Sequence, residues 1–452
     1  MKRFSTTFSW LILLSAVLFI ASCSKDENSV IENYPGKKSF EYDSKVVSDW
    51  YGHTLNLIKT TSGYTPPVAS RNLGYIGVTL YEAVRPGNPD YLSMAGQLTQ
   101  LKNVPLPENN KEYYWPAAAN TALARINSLL FPQPESKKSL FDSIQVIKNF
   151  YQLEHRKTGI SEEVIARSEA FGEQVANAIY NWSVTDVTGH EGFKKNFPSS
   201  YIPPSGPGVW VPTGAQKIPL QPYWGTVRAF VPGSIAASTP PLPIPFSTET
   251  SSDFYAQANT VYQTVKNITP EQKTIALFWA DGGGTVTPPG HSIAIAKQLI
   301  EERGERLDRA AEILMRVGIA TADAFICCWK CKYVYNIMRP ETYIRQNIDA
   351  NWKPVIATPP FPEYTSGHSS QSGAAAYVLT KLFGENYAFT DRTNQNRKDI
   401  DGSPRNYNSF NEFAQEAAQS RLYGGIHYPM GNMAGFGSGQ KIGAAHNVLH
   451  FK

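Results

Sequence analysis

Twelve prolines fall within the 48 residues from Pro198 to Pro245. Proline locks φ and removes a backbone donor, so a segment this dense can be neither a helix nor a central strand. Trp210, Tyr223, Trp224 and Phe230 lie among the prolines. A free linker has no use for so much aromatic surface, so 198–247 is predicted to be an irregular connection packed over its neighbours. On both sides of it apolar residues recur at helical spacing. Upstream, Phe40 and, within 41–197, Val46, Val47, Trp50, Leu55 and Leu57 mark one amphipathic stretch, and 114–130, 139–153 and 161–179 mark others. The last opens on Ser161-Glu-Glu, a capping hydroxyl followed by acids in the first turn. Downstream, in 248–452, the period continues over 271–280, 291–303, 306–338, 369–383, 410–423 and 433–449. Two-residue alternation is nearly absent. The expected fold is all-α, with an N-terminal and a C-terminal helical bundle and long Pro-rich irregular loops.

The one long uncharged apolar run is 8–21, FSWLILLSAVLFIA, behind Lys2 and Arg3 and ahead of Ala21-Ser22-Cys23. A basic start, an apolar middle and small residues before a cysteine resemble a bacterial lipoprotein signal. The expectation is a signal peptide over 1–22 and a tether over 23–40 lipidated at Cys23, with Ser24-Lys25-Asp26-Glu27-Asn28 resembling the acidic stretch of surface-exported lipoproteins. That implies an exported chain anchored to the outer membrane, on its periplasmic or cell-surface face, with no transmembrane span after processing. With 42 basic and 38 acidic side chains the net charge is only +4, too small to point to nucleic acid.

Cys327, Cys328 and Cys331 remain, an odd number that leaves at least one free thiol in an exported protein. Cys328-Trp-Lys-Cys331 has redox-pair spacing, yet it sits in an apolar helix-periodic run and lacks the second pair that zinc requires. Buried packing is the expected role.

Three C-terminal fragments place polar chemistry in apolar surroundings. Lys332 and Arg339 are seven residues apart, two turns along one face if the helix runs through both, and 319–329 before them is mostly apolar. Cations on a buried face demand an anion. Ser366-Gly367-His368 closes a Pro-rich loop and opens a helix, so a capping hydroxyl, exposed amides and the helix dipole favour an oxyanion there. In Ser420-Arg421 and His427, a helix end and a glycine pair return the histidine beside the arginine. Three cations, a capped helix start and two histidines suit one tetrahedral oxyanion, phosphate or vanadate.

The order KxxxxxxRP, SGH, SRxxxxxH resembles the signature of vanadium-dependent haloperoxidases and the related type 2 phosphatidic-acid phosphatases and bacterial acid phosphatases, with Thr365 where the family usually has proline. The resemblance implies vanadate as cofactor and hydrogen peroxide and halide as substrates. It implies that His427 bonds vanadium, that Lys332, Arg339, Ser366, Gly367 and Arg421 hold the oxyanion, that His368 is an acid/base and that Lys332 polarises the peroxide. Trp329 and Phe361 resemble the aromatic pair of chloroperoxidases and bacterial iodoperoxidases. Asp281 resembles an aspartate that pairs with an active-site arginine, and His291 is a further candidate for the halide side of the cavity. The leading expectation is a haloperoxidase oxidising iodide, with bromide next. A soluble acid phosphatase using His427 as nucleophile would share the same ligands, and an inactive surface-binding lipoprotein is the third reading.

Overall fold

A computed structural model describes residues 34–131 and 138–452; the 1–22 signal and Cys23 lie outside them. Fifteen helices occur among the described residues. The first six are α1 (Lys45–Thr60), α2 (Pro66–Val84), α3 (Trp115–Leu130), α4 (Lys138–Arg156), α5 (Glu162–Val184) and the single turn α6 (Val187–His190). A second short helix, α7 (Ser234–Ala237), lies in the proline-dense segment and is followed by α8 (Asp253–Lys266), α9 (Pro270–Phe278), α10 (Thr287–Arg303) and α11 (Leu307–Tyr335). The last four are α12 (Pro340–Asn347), α13 (Gly367–Phe383), α14 (Phe410–Tyr423) and α15 (Pro429–Ala445). Among the described residues no helix is long and apolar enough to cross a membrane.

The axis of the molecule is α11, buried from Leu307 through Lys332 at nearly every position. It lies against α2, itself buried almost all round. Small residues allow that crossing: a Cβ on Gly77 would come 2.7 Å from the Met315 Cα, and one on Gly318 would come 2.9 Å from the Leu73 carbonyl oxygen. One apolar core therefore runs from α1–α3 and α5 through α10 and α11 to α13 and α14. The proline-dense segment lies over α11, with Trp210, Trp224 and Phe230 buried. Asp323 of α11 fastens it by accepting from the amides of Phe230 and Val231 and the Ser234 hydroxyl.

On α15, Gly431, Gly435, Gly439 and Gly443 recur every fourth residue and form one stripe. A Cβ on Gly435 would meet the Ser366 carbonyl oxygen at 2.8 Å, one on Gly443 would meet Tyr377 Cβ at 2.6 Å, and one on Gly439 would overlap the Ser370 carbonyl oxygen. Backbone-to-backbone contact with α13 results, and it sets the position of the α13 N-terminus.

Two local features differ from the sequence reading. The periodic run does not continue through Arg339: α11 stops at Tyr335, with Asn336 in the left-handed region (φ 48°), and Pro340 opens a new helix, α12. Proline at a first helical position is pre-organised for a start, and Asn tolerates the left-handed cap. Lys332 and Arg339 therefore belong to different elements. A hairpin also pairs β1 (Phe389–Asp391) with antiparallel β2 (Arg405–Tyr407), in register Phe389–Tyr407. Three residues per strand are too few for alternation to show.

Candidate active site

The ends of four helices converge. Lys332 comes from the last turn of α11, Arg339 from the N-cap of α12, Ser366 to His368 from the start of α13, and Arg421 with His427 from the end of α14 and the turn after it. Lys332, Arg339 and Arg421 are each fully buried. Among the described residues no carboxylate lies within ion-pair distance of any of the three. Three buried cations without direct counter-ions are a large electrostatic debt in a low-dielectric setting.

The lysine is satisfied by backbone. Its ammonium donates to the carbonyls of Pro362 (3.0 Å) and Glu363 (2.9 Å) and to that of Thr365. An ammonium has three N–H bonds, and all three are engaged. The resemblance makes Lys332 a direct oxyanion ligand; in this arrangement it contributes charge and shapes the 362–365 loop. Burial pushes it down to about 8. Its nitrogen lies 5.0 Å from the Phe361 ring centroid, and the Arg339 guanidinium carbon lies 4.7 Å from the same ring. The Trp329 and Phe361 rings are 5.1 Å apart.

The arginines are only partly satisfied. Arg339 Nε donates to the Phe361 carbonyl (2.8 Å), and Nη1 to the Ile426 carbonyl (2.7 Å) and to His427 Nε2 (3.1 Å). Arg421 Nη1 donates to the Trp279 carbonyl (2.6 Å) and to His368 Nε2 (2.9 Å). Arg339 Nη2 and Arg421 Nε and Nη2 have no partner although buried. Buried guanidinium N–H groups without acceptors are rare and costly. Burial lowers both arginines to about 10.

Both histidines accept from an arginine, which can only donate, so each is a neutral imidazole. His427 Nδ1 donates to Glu363 Oε1 at 2.7 Å, which makes Nε2 the acceptor nitrogen that meets Arg339 Nη1. Burial, and then the charges of Arg339 and Lys332, hold His427 well below its ordinary value. His368 is lowered in the same way by burial and Arg421. Glu363 was not singled out in the sequence. It is completely buried, also accepts from the Tyr428 amide at 3.2 Å, and is raised to about 7 by burial against the pull of Lys332 and Arg339. A carboxylate inside the apolar fragment Phe361-Pro-Glu-Tyr was the available signal.

Ser366 caps α13 by accepting from the Ser369 amide (3.4 Å). The first-turn amides of Gly367 and His368 have no acceptor within the helix. The group borders a cavity of about 520 Å³, lined by Gly367, His368, Arg421 and His427, by the apolar Phe325, Trp329, Phe361 and Ile426, and by Asp281 with Gly282 to Gly284. Lys332, Arg339 and Ser366 are buried and do not line it.

The other two cavity candidates are placed differently from expectation. Asp281 does line the cavity, but its carboxylate pairs with His291 (2.9 Å) instead of an arginine. His291 is wholly buried and does not reach the cavity; its Nε2 meets Asp391 Oδ2 at 2.7 Å. Asp391, on the short strand β1, had no sequence signal. The three cysteines are free and buried, as packing requires.

Unpartnered guanidinium donors, helix-start amides and a neutral imidazole nitrogen suit the oxygens and central atom of an oxyanion. The same cationic donor set would repel a bare divalent ion. The family model for the VCPO second helical-bundle domain matches residues 312–450. The vanadium chloroperoxidase of Curvularia inaequalis is 24% identical over 410 residues, covering 76% of this chain and 66% of that protein, just under two thirds of its length. The solved structure of a bacterial vanadium-dependent iodoperoxidase superposes with a TM-score of 0.82 at 33% identity, over 93% of this chain and 99% of the other. A bacterial vanadium-dependent chloroperoxidase shares the fold, with a TM-score of 0.64 at 15% identity over 86% of this chain and 93% of the other.

Proposed function

Since this chain belongs to the vanadium-dependent haloperoxidases, we propose that it oxidises iodide with hydrogen peroxide, I⁻ + H₂O₂ + H⁺ giving HOI + H₂O. The single observation that carries this reading is the set of buried guanidinium donors without partners, Arg339 Nη2 and Arg421 Nε and Nη2, on the two arginines that also hold His427 Nε2 and His368 Nε2. Those groups fit vanadate, which when bound supplies Lewis-acid activation of peroxide toward a halide. His427 offers its Nε2, and Glu363 holds the tautomer that makes this nitrogen available. Arg339 and Arg421 donate to the oxyanion, with the Gly367 amide and the Ser366 hydroxyl beside them. His368, neutral and half-buried on the cavity wall, takes up a proton from an incoming O–H and returns it to the leaving oxygen. Lys332 keeps a positive charge behind the site, and Phe361 and Trp329 keep bulk water away from it. Iodide is the favoured halide because it is the easiest to oxidise, and the relative with the TM-score of 0.82 is an iodoperoxidase.

Purified protein reconstituted with orthovanadate, given iodide and peroxide, should form triiodide, and His427→Ala should abolish it. Hydrolysis of phosphate esters without halide oxidation would overturn the proposal in favour of a phosphohistidine phosphatase. We also propose export and lipid anchoring at Cys23. Cys23→Ser should then move the protein out of the membrane fraction and abolish fatty-acid labelling.

A further inference from the structure

His291 is a tightly held ionisable side chain outside the oxyanion site. It is 0% exposed, and its two ring nitrogens face two carboxylates whose side chains are equally buried, Asp281 at 2.9 Å and Asp391 at 2.7 Å. Two acceptors require two donors, so the ring is an imidazolium. The clamp joins three elements, α10 through His291, strand β1 through Asp391, and the wall loop after α9 through Asp281. The Trp279 ring stacks on His291 at 4.5 Å and 22°.

That wall loop needs holding. Asp281 adopts φ 42°, an unfavourable region for a residue with a side chain, and Gly282 to Gly284 follow without side chains to anchor them. Yet the loop begins at Trp279, whose carbonyl accepts from Arg421 Nη1 at 2.6 Å. Arg421 in turn donates to His368 Nε2.

We propose that His291 is a positioning residue: its clamp on Asp281 and its stacking on Trp279 fix the carbonyl that aims Arg421, and through it His368, into the oxyanion site. This rests on the oxyanion reading above. Residues that orient ligands from one contact away commonly change affinity tenfold or more when altered. A positioning role through Arg421 also makes a claim that general destabilisation does not: the effect must vanish when Arg421 is gone.

The test is a double-mutant cycle on the purified full chain, with orthovanadate binding measured by titration calorimetry. His291→Gln should weaken binding about tenfold, but less than about twofold in an Arg421→Met background. An unchanged affinity in His291→Gln, or the same loss in both backgrounds, would overturn the proposal. If His291→Gln does not fold, Asp391→Asn enters the same cycle, with a loss of about threefold that again disappears with Arg421→Met. Absence of orthovanadate binding by the unmutated chain would instead overturn the oxyanion reading itself.

Discussion

Arg339 and Arg421 each spend part of a guanidinium on backbone carbonyls and leave the rest unpartnered, which is how a rigid site is built before its anion arrives. Glu363 does the corresponding work for His427. Glu363→Gln keeps the shape but lets the side chain turn its amide toward Nδ1, so the Nδ1–H tautomer is no longer enforced. The expected outcome is a tenfold to hundredfold loss of vanadate affinity, of the order seen when partners of metal ligands are changed, and equilibrium titration measures it. Two titrations also act in the same direction. Glu363 becomes negative as pH rises through about 7, and Lys332 loses its positive charge as pH rises through about 8. Both changes oppose anion binding. Sulfate keeps a constant charge over this range, so its affinity should be highest below about 7 and fall progressively through about 8. A flat profile by calorimetry would contradict that electrostatic account. At this scale the cations, the two site histidines and the SGH turn were legible because their residue types are conspicuous in apolar context. Glu363 and Asp391 were harder to read. One follows a proline in a loop and the other ends a three-residue strand, and their importance comes from partners 64 and 100 residues away.

Most helices were legible to within a few residues, because each buries one apolar stripe and ends at a recognisable cap or proline. The break between α11 and α12 was not, since the left-handed Asn336 interrupts a run whose periodicity continues on either side. The α13–α15 crossing depends on glycines that a search for apolar periodicity passes over. Gly439→Ala would press a methyl group into the Ser370 carbonyl; overpacking of this kind costs about 2 kcal/mol. Thermal unfolding should show a lower midpoint, and anion affinity should fall because α13 carries Ser366 and Gly367. Gly437→Ala, on the open side of the same helix, is the control and should gain about 0.5–1 kcal/mol from helix propensity. The His291 clamp gives a second prediction between elements. Burial alone would lower this histidine, but Asp281 and Asp391 outweigh it and raise it to about 10 from an ordinary 6.5. A raised value means stability that is complete below about 6.5 and lost as pH climbs through about 10. The deficit in melting temperature of His291→Gln relative to the unmutated chain should therefore be largest below about 6.5 and shrink toward about 10.

Across the whole molecule, the site sits where both ends of the chain's helical architecture meet: α11 brings the core of the N-terminal helices to it, and α13–α15 bring the rest. The proline-dense segment was legible as irregular and aromatic-rich, and its burial over α11 follows from that composition. An anion bound only by the folded chain should stabilise all of it, by about 2.7 kcal/mol when its concentration is a hundred times its dissociation constant. The melting midpoint should thus rise with orthovanadate in the unmutated chain and rise less at the same concentration in Arg421→Met. The most direct measurement of the central claim is a crystal structure of the full chain grown with orthovanadate and recorded at the vanadium absorption edge. We predict one anomalous peak at bonding distance from His427 Nε2, with Arg339 Nη2 and Arg421 Nη2 donating to its oxygens. A vanadium peak elsewhere, or none at saturating orthovanadate, would contradict the account.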